Sequence, residues 1–236
     1  MFVGHYGASL VAKRVAPELP LWSLLAAAQL VDIAWSTFVL LGIEHLRIVP
    51  GHTATNPLDL YHMPYTHSLP AALLWALSAA ALTWAWAARA RPAAAARRLA
   101  LVVAAVVFSH WLLDLVVHVP DLPLWGDRGK VGLGLWNHPL VETALELALL
   151  VGAALWLHAD RAAWRLAGGR ALGVTVAVLV VFHAVNLFAP PPPSVAAVGI
   201  AGLAVYLAVV AAGWRIERRA AVDNPPAAGS AMSSRP

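Results

Sequence analysis

Long apolar stretches separated by short polar or basic connections dominate the chain, and six of them are long enough to be membrane spans. A helix needs about 20 predominantly apolar residues to cross about 30 Å of hydrocarbon, because its backbone polar groups must be satisfied within the segment. We therefore predict an all-α polytopic membrane helical bundle of about six transmembrane helices. The predicted spans are approximately 19–43, 66–88, 98–119, 139–158, 171–189 and 194–214.

The same pattern predicts one structural domain and a tail. Residues 1–220 hold all the apolar stretches and are predicted to form a single transmembrane domain. Residues 221–236 are rich in Ser, Pro and Ala, which is typical of a disordered segment, and we expect a cytoplasmic tail there. The run "PPPP" at 190–193 is predicted to be a stiff turn between the last two spans.

Composition and charge support the membrane prediction. Only 12% of the 236 residues are charged and 61% are hydrophobic, whereas a soluble domain has about 25% charged residues. We predict that both termini are cytoplasmic, because only Arg47, Arg128 and Lys130 of the 16 Lys and Arg residues then fall on the outer side, as the positive-inside rule requires. The basic residues then anchor the topology in a bacterial inner membrane, and the net charge of +4 requires no nucleic-acid partner.

The third predicted span carries ionisable residues in an otherwise apolar sequence. Its outer half reads "SHWLLDLVVH", in which His110, Asp114 and His118 follow each other at four-residue intervals. Residues four apart lie on one face of an α-helix, and a charged group inside a membrane is costly and usually functional. We therefore predict that these three side chains form one wall of a site.

Further candidates lie at the predicted outer ends of other spans. His67 opens the second span, His138 and Glu142 open the fourth, and Asp32 lies near the middle of the first. His45, His52 and His183 also fall on the outer side, and we interpret them as histidines at the headgroup level without a role in the site.

The ligand types point to a metal site. The chain has no cysteine, so the available ligands are imidazoles and carboxylates, which suit zinc, with manganese or iron as alternatives. Two or three divalent ions would neutralise Asp32, Asp114 and Glu142 and so reduce the cost of burying them.

Two segments resemble a known family. "HMPYTHSLPAALL", which begins at His62, resembles the "HRGxTHSLL" signature of the YdjM-like membrane-bound metal-dependent hydrolases, which are described as LexA-binding inner-membrane proteins. "SHWLLDLVVH" resembles the "SHxxLDxxT" segment of that family. Met63 and Pro64 replace the Arg-Gly of the signature, and Ala34 stands where a second Asp is usual. The resemblance covers roughly residues 3–140, and the ligands that it implies are His5, Asp32, His62, His67, His110 and Asp114.

His5 conflicts with the predicted topology. Residues 1–16 are expected on the cytoplasmic side, whereas the site is expected to face outward. An N-terminal helix that re-enters the membrane or lies on its outer surface, or a site nearer the midplane, would reconcile the two predictions.

A second resemblance is to the zinc-dependent phospholipase C and P1 nuclease group. The pairs His110–Asp114 and His138–Glu142 are similar to the His-x3-Asp and His-x3-Glu pairs of its three-zinc site. This similarity implies phosphate ester substrates.

The leading hypothesis is an integral membrane metal-dependent hydrolase with its site near the outer face, acting on a phosphate ester of a lipid or another membrane-associated molecule. Asp32 or Glu142 would bridge the ions or accept the proton of the attacking water, and Arg128 with Lys130 would receive an anionic headgroup. The predicted metal ligands are His5, Asp32, His62, His67, His110, Asp114, His118, His138 and Glu142.

Two alternatives use the same residues. A transporter or channel would use them as a transit site for divalent cations or protons, and a non-catalytic membrane scaffold would use them to hold a structural metal. The inner halves of the predicted spans are nearly pure Ala, Leu and Val, which favours a pocket open on one side. The predicted partners are the lipid bilayer and a lipid or phosphate-ester substrate.

Overall fold

Helices make up most of the computed structural model, which describes residues 1–223. The first helices precede a small antiparallel hairpin, and the longer helices follow it. In chain order the elements are α1 (His5–Val15), α2 (Leu21–Ala28), α3 (Leu30–Leu40), β1 (His45–Ile48), β2 (Leu58–His62), α4 (Leu69–Ala87), α5 (Ala93–Val117), a 3-10 turn (Leu135–Asn137), α6 (Pro139–Ala159), α7 (Arg161–Leu166), α8 (Arg170–Asn186) and α9 (Val195–Asp223).

The mostly helical architecture is confirmed, and four or five helices are candidate membrane spans, whereas the six predicted spans are not all confirmed. Within residues 1–223, α4, α5, α6 and α9 are each long and apolar enough to cross a membrane. The predicted first span is the pair α2 and α3, which bends by 56° and adds a fifth span if counted as one. The predicted fifth span, α8, has only 17 residues, because it begins after Gly168–Gly169 and ends before the proline run.

The predicted tail overlaps the last helix. Helix α9 continues to Asp223, so residues 221–223 are helical. The rest of the predicted tail, 224–236, lies outside the described residues.

The bend between α2 and α3 occurs at Gln29. Helix α2 ends at Ala28, and Gln29 is fully buried between the two helices. Its side-chain amide donates to the backbone carbonyl of Phe2 at 3.1 Å. This contact with the N-terminal segment stabilises the irregular backbone at Gln29. A helix end leaves carbonyl groups without an intrahelical partner, and this bend therefore makes the Ala28 carbonyl available to another element.

Residues 5–15 form a helix inside the bundle. Helix α1 packs on α6 and α2, and a Cβ at Gly7 would lie 2.6 Å from the carbonyl oxygen of Leu149, so only glycine permits this approach. At the far end, Lys13 donates to Glu217 of α9 at 2.7 Å and Arg14 donates to the Trp156 carbonyl. Helix α1 thus connects the end of the bundle that carries Lys13, Arg14 and Arg98, called the basic end here, with its interior.

The hairpin and the loop before α6 cover the opposite end, called the hairpin end. Strands β1 and β2 are antiparallel, with Arg47 opposite Asp59. The loop at 118–134 attaches to them, because Lys130 donates to the Tyr61 carbonyl at 2.5 Å and Asp127 bonds to His62. These elements enclose the C-terminal half of α5.

Candidate metal centre

Asp114 lies at the centre of a buried cluster of histidines. It is only 2% exposed, and its two carboxylate oxygens face different partners. Oδ1 lies 3.2 Å from His5 Nε2, while Oδ2 lies 3.1 Å from His110 Nε2 and 3.6 Å from His67 Nε2. One carboxylate therefore connects α1, α5 and the segment before α4.

Asp32 is the second carboxylate of the cluster. It lies in the first turn of α3, where the helix dipole stabilises a negative charge. Its Oδ1 is 3.4 Å from His67 Nε2 and 3.5 Å from His110 Nε2. Two buried groups have all their ligand atoms within 4.8 Å of one another and could hold a metal ion: His5, His110 and Asp114, and Asp32, His67 and His110.

The bend at Gln29 orients His110. Nδ1 of His110 lies 2.9 Å from the Ala28 carbonyl oxygen, and a carbonyl only accepts, so Nδ1 carries the proton. Nε2 is then the ring nitrogen that faces the carboxylates, and it could bind a metal through its lone pair in the neutral ring. The break that shortens the predicted first span therefore sets the orientation of a candidate ligand.

Glu44 orients His67 through Thr66. The Thr66 hydroxyl donates to Glu44 at 2.6 Å, so its oxygen accepts from Nδ1 of His67, which lies 2.8 Å away. Glu44 is fixed in turn by the backbone N–H groups of Tyr65 and Thr66. As for His110, Nε2 of His67 is the ring nitrogen that faces the carboxylates.

His118 occupies the edge of the cluster. Its Nδ1 bonds to Asp121 at 2.7 Å, and its Nε2 lies 3.8 Å from Asp114 Oδ2. Its ring packs on Trp136, with the centroids 4.2 Å apart. The carboxylate behind the imidazole is the arrangement common to metal-bound histidines.

His5 reaches the cluster because Glu146 holds the chain before it. Glu146 accepts from the backbone N–H groups of Phe2 at 2.8 Å and Gly4 at 2.7 Å. The His5 ring stacks on His110, with centroids 3.8 Å apart. Burial, followed by the nearby His110, lowers the pKa of His5 to about 4, which keeps the imidazole neutral. The expected conflict between His5 and the site is thus absent, since α1 starts inside the bundle.

The amino group of Met1 also meets Asp114. It donates to Oδ1 at 2.9 Å. Burial works against its charge, but Asp114 and Glu146 together raise its pKa above the ordinary value.

The donor set fits a divalent ion. Nε2 of His110 lies near two carboxylates but makes no hydrogen bond among the described residues. A ring nitrogen that faces a carboxylate oxygen needs a proton or a metal ion between them, and a divalent ion would satisfy Nε2 and both carboxylates together. Imidazole nitrogen and carboxylate oxygen without sulfur suit zinc, manganese or iron.

A cavity of about 530 Å³ opens beside the cluster. Asp32, His67, Asp114 and His118 border one part of it, and Glu142 and Glu146 extend this polar part. Phe182 of α8 and apolar residues of α9 also border it. The cavity therefore offers ligand-type groups and hydrocarbon surface to one molecule.

The structure does not bring every predicted residue into the cluster. His62 bonds to Asp127 and stacks on His45, with centroids 5.2 Å apart. His138 is exposed, because it precedes α6 with φ −127° and ψ 74°, so its spacing from Glu142 does not put both on one helical face. Glu142 borders the cavity but is not in either group.

The two predicted headgroup-binding residues lie outside the cavity lining. Arg128 is exposed in a turn closed by its backbone bonds to Trp125, and Lys130 is occupied by the Tyr61 carbonyl.

Glu44, Thr66, Asp121 and Glu146 have roles around the cluster that the sequence reasoning missed. Asp121 could have been found from its position three residues after His118, and Glu146 from its position one turn after Glu142. Glu44 is 21 or more residues from the backbone groups it binds, and the sequence has no signal for it.

Comparison with protein-family models, with curated proteins and with solved structures gives no match to this chain. The resemblance to the YdjM-like hydrolases therefore stays a prediction.

Proposed function

We propose that this chain is a membrane metal-dependent hydrolase that acts on a phosphate ester of a lipid or another membrane-associated molecule. One observation carries the proposal. The Nε2 atoms of His67 and His110 converge on Asp32 and Asp114 beside a cavity with a polar and an apolar part.

Asp114 is the proposed bridge between two divalent ions, for which zinc is the choice that best suits the ligands. Its Oδ1 faces His5 and its Oδ2 faces His67 and His110, so each oxygen has its own set of nitrogen partners. Asp32 completes the second set. Divalent ions held there would lower the pKa of a water molecule to about 7 and polarise a phosphoryl oxygen.

Glu142 is the proposed acceptor of the proton that the attacking water loses. It is 4% exposed and borders the cavity, and its hydrogen bond, from Thr143 at 3.5 Å, is long. Asp32, by contrast, lies among the histidines and is better suited to hold an ion. Of the two carboxylates predicted for catalysis, Glu142 thus has the oxygen more available for a proton.

The apolar layer beneath the cluster supports hydrolysis over transport. On α5, Leu99, Val103 and Val107 are buried between Arg98 and His110. On α1, the buried Leu10 lies between His5 and Lys13. A path for cations to the basic end would have to cross this layer.

The test is metal content followed by hydrolysis. The purified protein should hold tightly bound divalent metal and should hydrolyse p-nitrophenyl phosphate or bis-p-nitrophenyl phosphate. His110→Ala should abolish both properties, whereas His158→Ala, at the basic end, should retain both. Stoichiometric metal without hydrolysis of any phosphate ester would refute the hydrolase and favour a structural metal or a transport site.

A further inference from the structure

His183 is a buried histidine outside the metal cluster. The sequence suggested a residue at the headgroup level, but His183 is only 6% exposed, in the last turn of α8. Its Nε2 has no hydrogen-bond partner within residues 1–223. A buried polar atom without a partner is unfavourable and calls for an explanation such as a ligand.

His183 borders the same cavity as Asp32 and Asp114. Asn186, three residues later on α8, also borders it. The C-terminal turn of α8 therefore brings two polar residues to the cavity. The adjoining Phe182 packs on Phe2, with centroids 5.5 Å apart. Since Phe2 is held by Glu146, the end of α8 is in contact with the segment that positions His5.

Helix α9 supplies an apolar wall next to His183. Val198, Ala201 and Val205 border the cavity, and their spacing of three and four residues puts them on one helical face. Gly202, between them, packs on α3, where a Cβ would lie 2.9 Å from the Ser36 hydroxyl. This face suits a hydrocarbon chain better than a second polar group.

We propose that His183 is a substrate-binding residue that donates a hydrogen bond to the phosphate of an amphiphilic phosphate ester, whose hydrocarbon chain lies along Val198, Ala201 and Val205. The phosphate would lie between His183 and the metal cluster. The proposal rests on the proposed function for the reaction, but it specifies the substrate class and can be tested by binding alone.

The experiment measures binding of dodecylphosphonate, whose carbon–phosphorus bond resists hydrolysis, to the purified metal-loaded protein in nanodiscs. His183→Leu should weaken binding by about tenfold or more, the loss expected for a hydrogen bond to a charged group. His183→Gln, which keeps an N–H donor, should lose less. His158→Leu is the matched control and should bind like the wild type, and all variants should keep the metal content of the wild type.

A second comparison tests whether the hydrocarbon chain of the ligand binds along α9. Methylphosphonate should bind more weakly than dodecylphosphonate, and Val205→Trp should reduce the difference in affinity between the two ligands.

Unchanged affinity in His183→Leu would overturn the role of His183, and so would loss of metal in that variant. Equal affinity for the two phosphonates would overturn the amphiphilic substrate. If dodecylphosphonate binds through His183 but no ester is hydrolysed, the proposed function fails while this inference stands.

Discussion

Nε2 of His110 lies 3.1 Å from Oδ2 of Asp114, four residues along the same helix, yet these atoms form no hydrogen bond. On the opposite side of the ring, Nδ1 donates to the Ala28 carbonyl. The ring is therefore held with Nε2 towards Asp114 and Asp32. A proton or a metal ion on Nε2 is needed to make this contact favourable, and a divalent ion would also neutralise the two carboxylates.

Asp114→Asn is expected to remove most of the bound metal. The substitution keeps the size of the side chain but removes the charge that faces both sets of histidines. Metal content per chain, measured by elemental analysis after gel filtration, should fall to less than half of the wild-type value. Asp59→Asn, which removes the hairpin partner of the exposed Arg47, is the control and should keep its metal. Full metal content in Asp114→Asn would contradict the bridging role.

Thr66→Val should weaken metal binding without removing any ligand. The valine has the shape of threonine but cannot accept from Nδ1 of His67 or donate to Glu44. Loss of such an outer partner typically costs about 10-fold to 100-fold in metal affinity. Competition with a chelator of known affinity measures the change. Thr83→Val, on α4 away from the cluster, should match the wild type, and an unchanged affinity in Thr66→Val would show that this bond does not orient His67.

Removing the metal should destabilise the protein. Without divalent ions, the Met1 amino group is the cation that remains beside Asp114, and both Asp32 and Asp114 stay buried among the histidines. Binding of an ion at 100 times the dissociation constant adds about 2.7 kcal/mol of stability. Treatment with EDTA should lower the melting temperature by roughly 5–10 °C, and added zinc should restore it. In His110→Ala the melting temperature should not respond to EDTA. Equal melting curves of metal-loaded and EDTA-treated wild type would exclude a resident ion.

Gly7→Ala should loosen α1 from α6. The new Cβ would lie 2.6 Å from the Leu149 carbonyl oxygen, and overpacking of this kind costs about 1–3 kcal/mol. A fall in melting temperature together with weaker metal binding is expected, because His5 is two residues away. Gly152→Ala on α6, where a Cβ meets nothing within 4 Å, should be as stable as the wild type or more so. Equal stability of the two variants would show that α1 does not pack this closely.

Helical spacing explains which part of the cluster was predictable from the sequence. His110 and Asp114 lie inside α5, so their four-residue interval put them on one face. The same interval wrongly predicted that His138 and Glu142 share a helical face, because His138 precedes the helix and has a non-helical backbone. A spacing rule holds only where both residues have helical dihedral angles, and local sequence does not fix the first helical residue closely enough.

The parts that depend on tertiary structure could not be read from the chain. The bend at Gln29 looks like the middle of a continuous span, since the residues around it are apolar. His62 is the first histidine of the quoted motif, but it lies on β2 of the hairpin and its ring bonds to Asp127. His183 resembles any histidine at a span end until α8 is placed against the cavity.

The contacts of Glu146 also have a consequence for biosynthesis. Because this residue of α6 holds the backbone of Phe2 and Gly4, His5 can reach its position in the cluster only after α6 has been synthesised, more than 140 residues later. The candidate ligands therefore come together only in the assembled bundle.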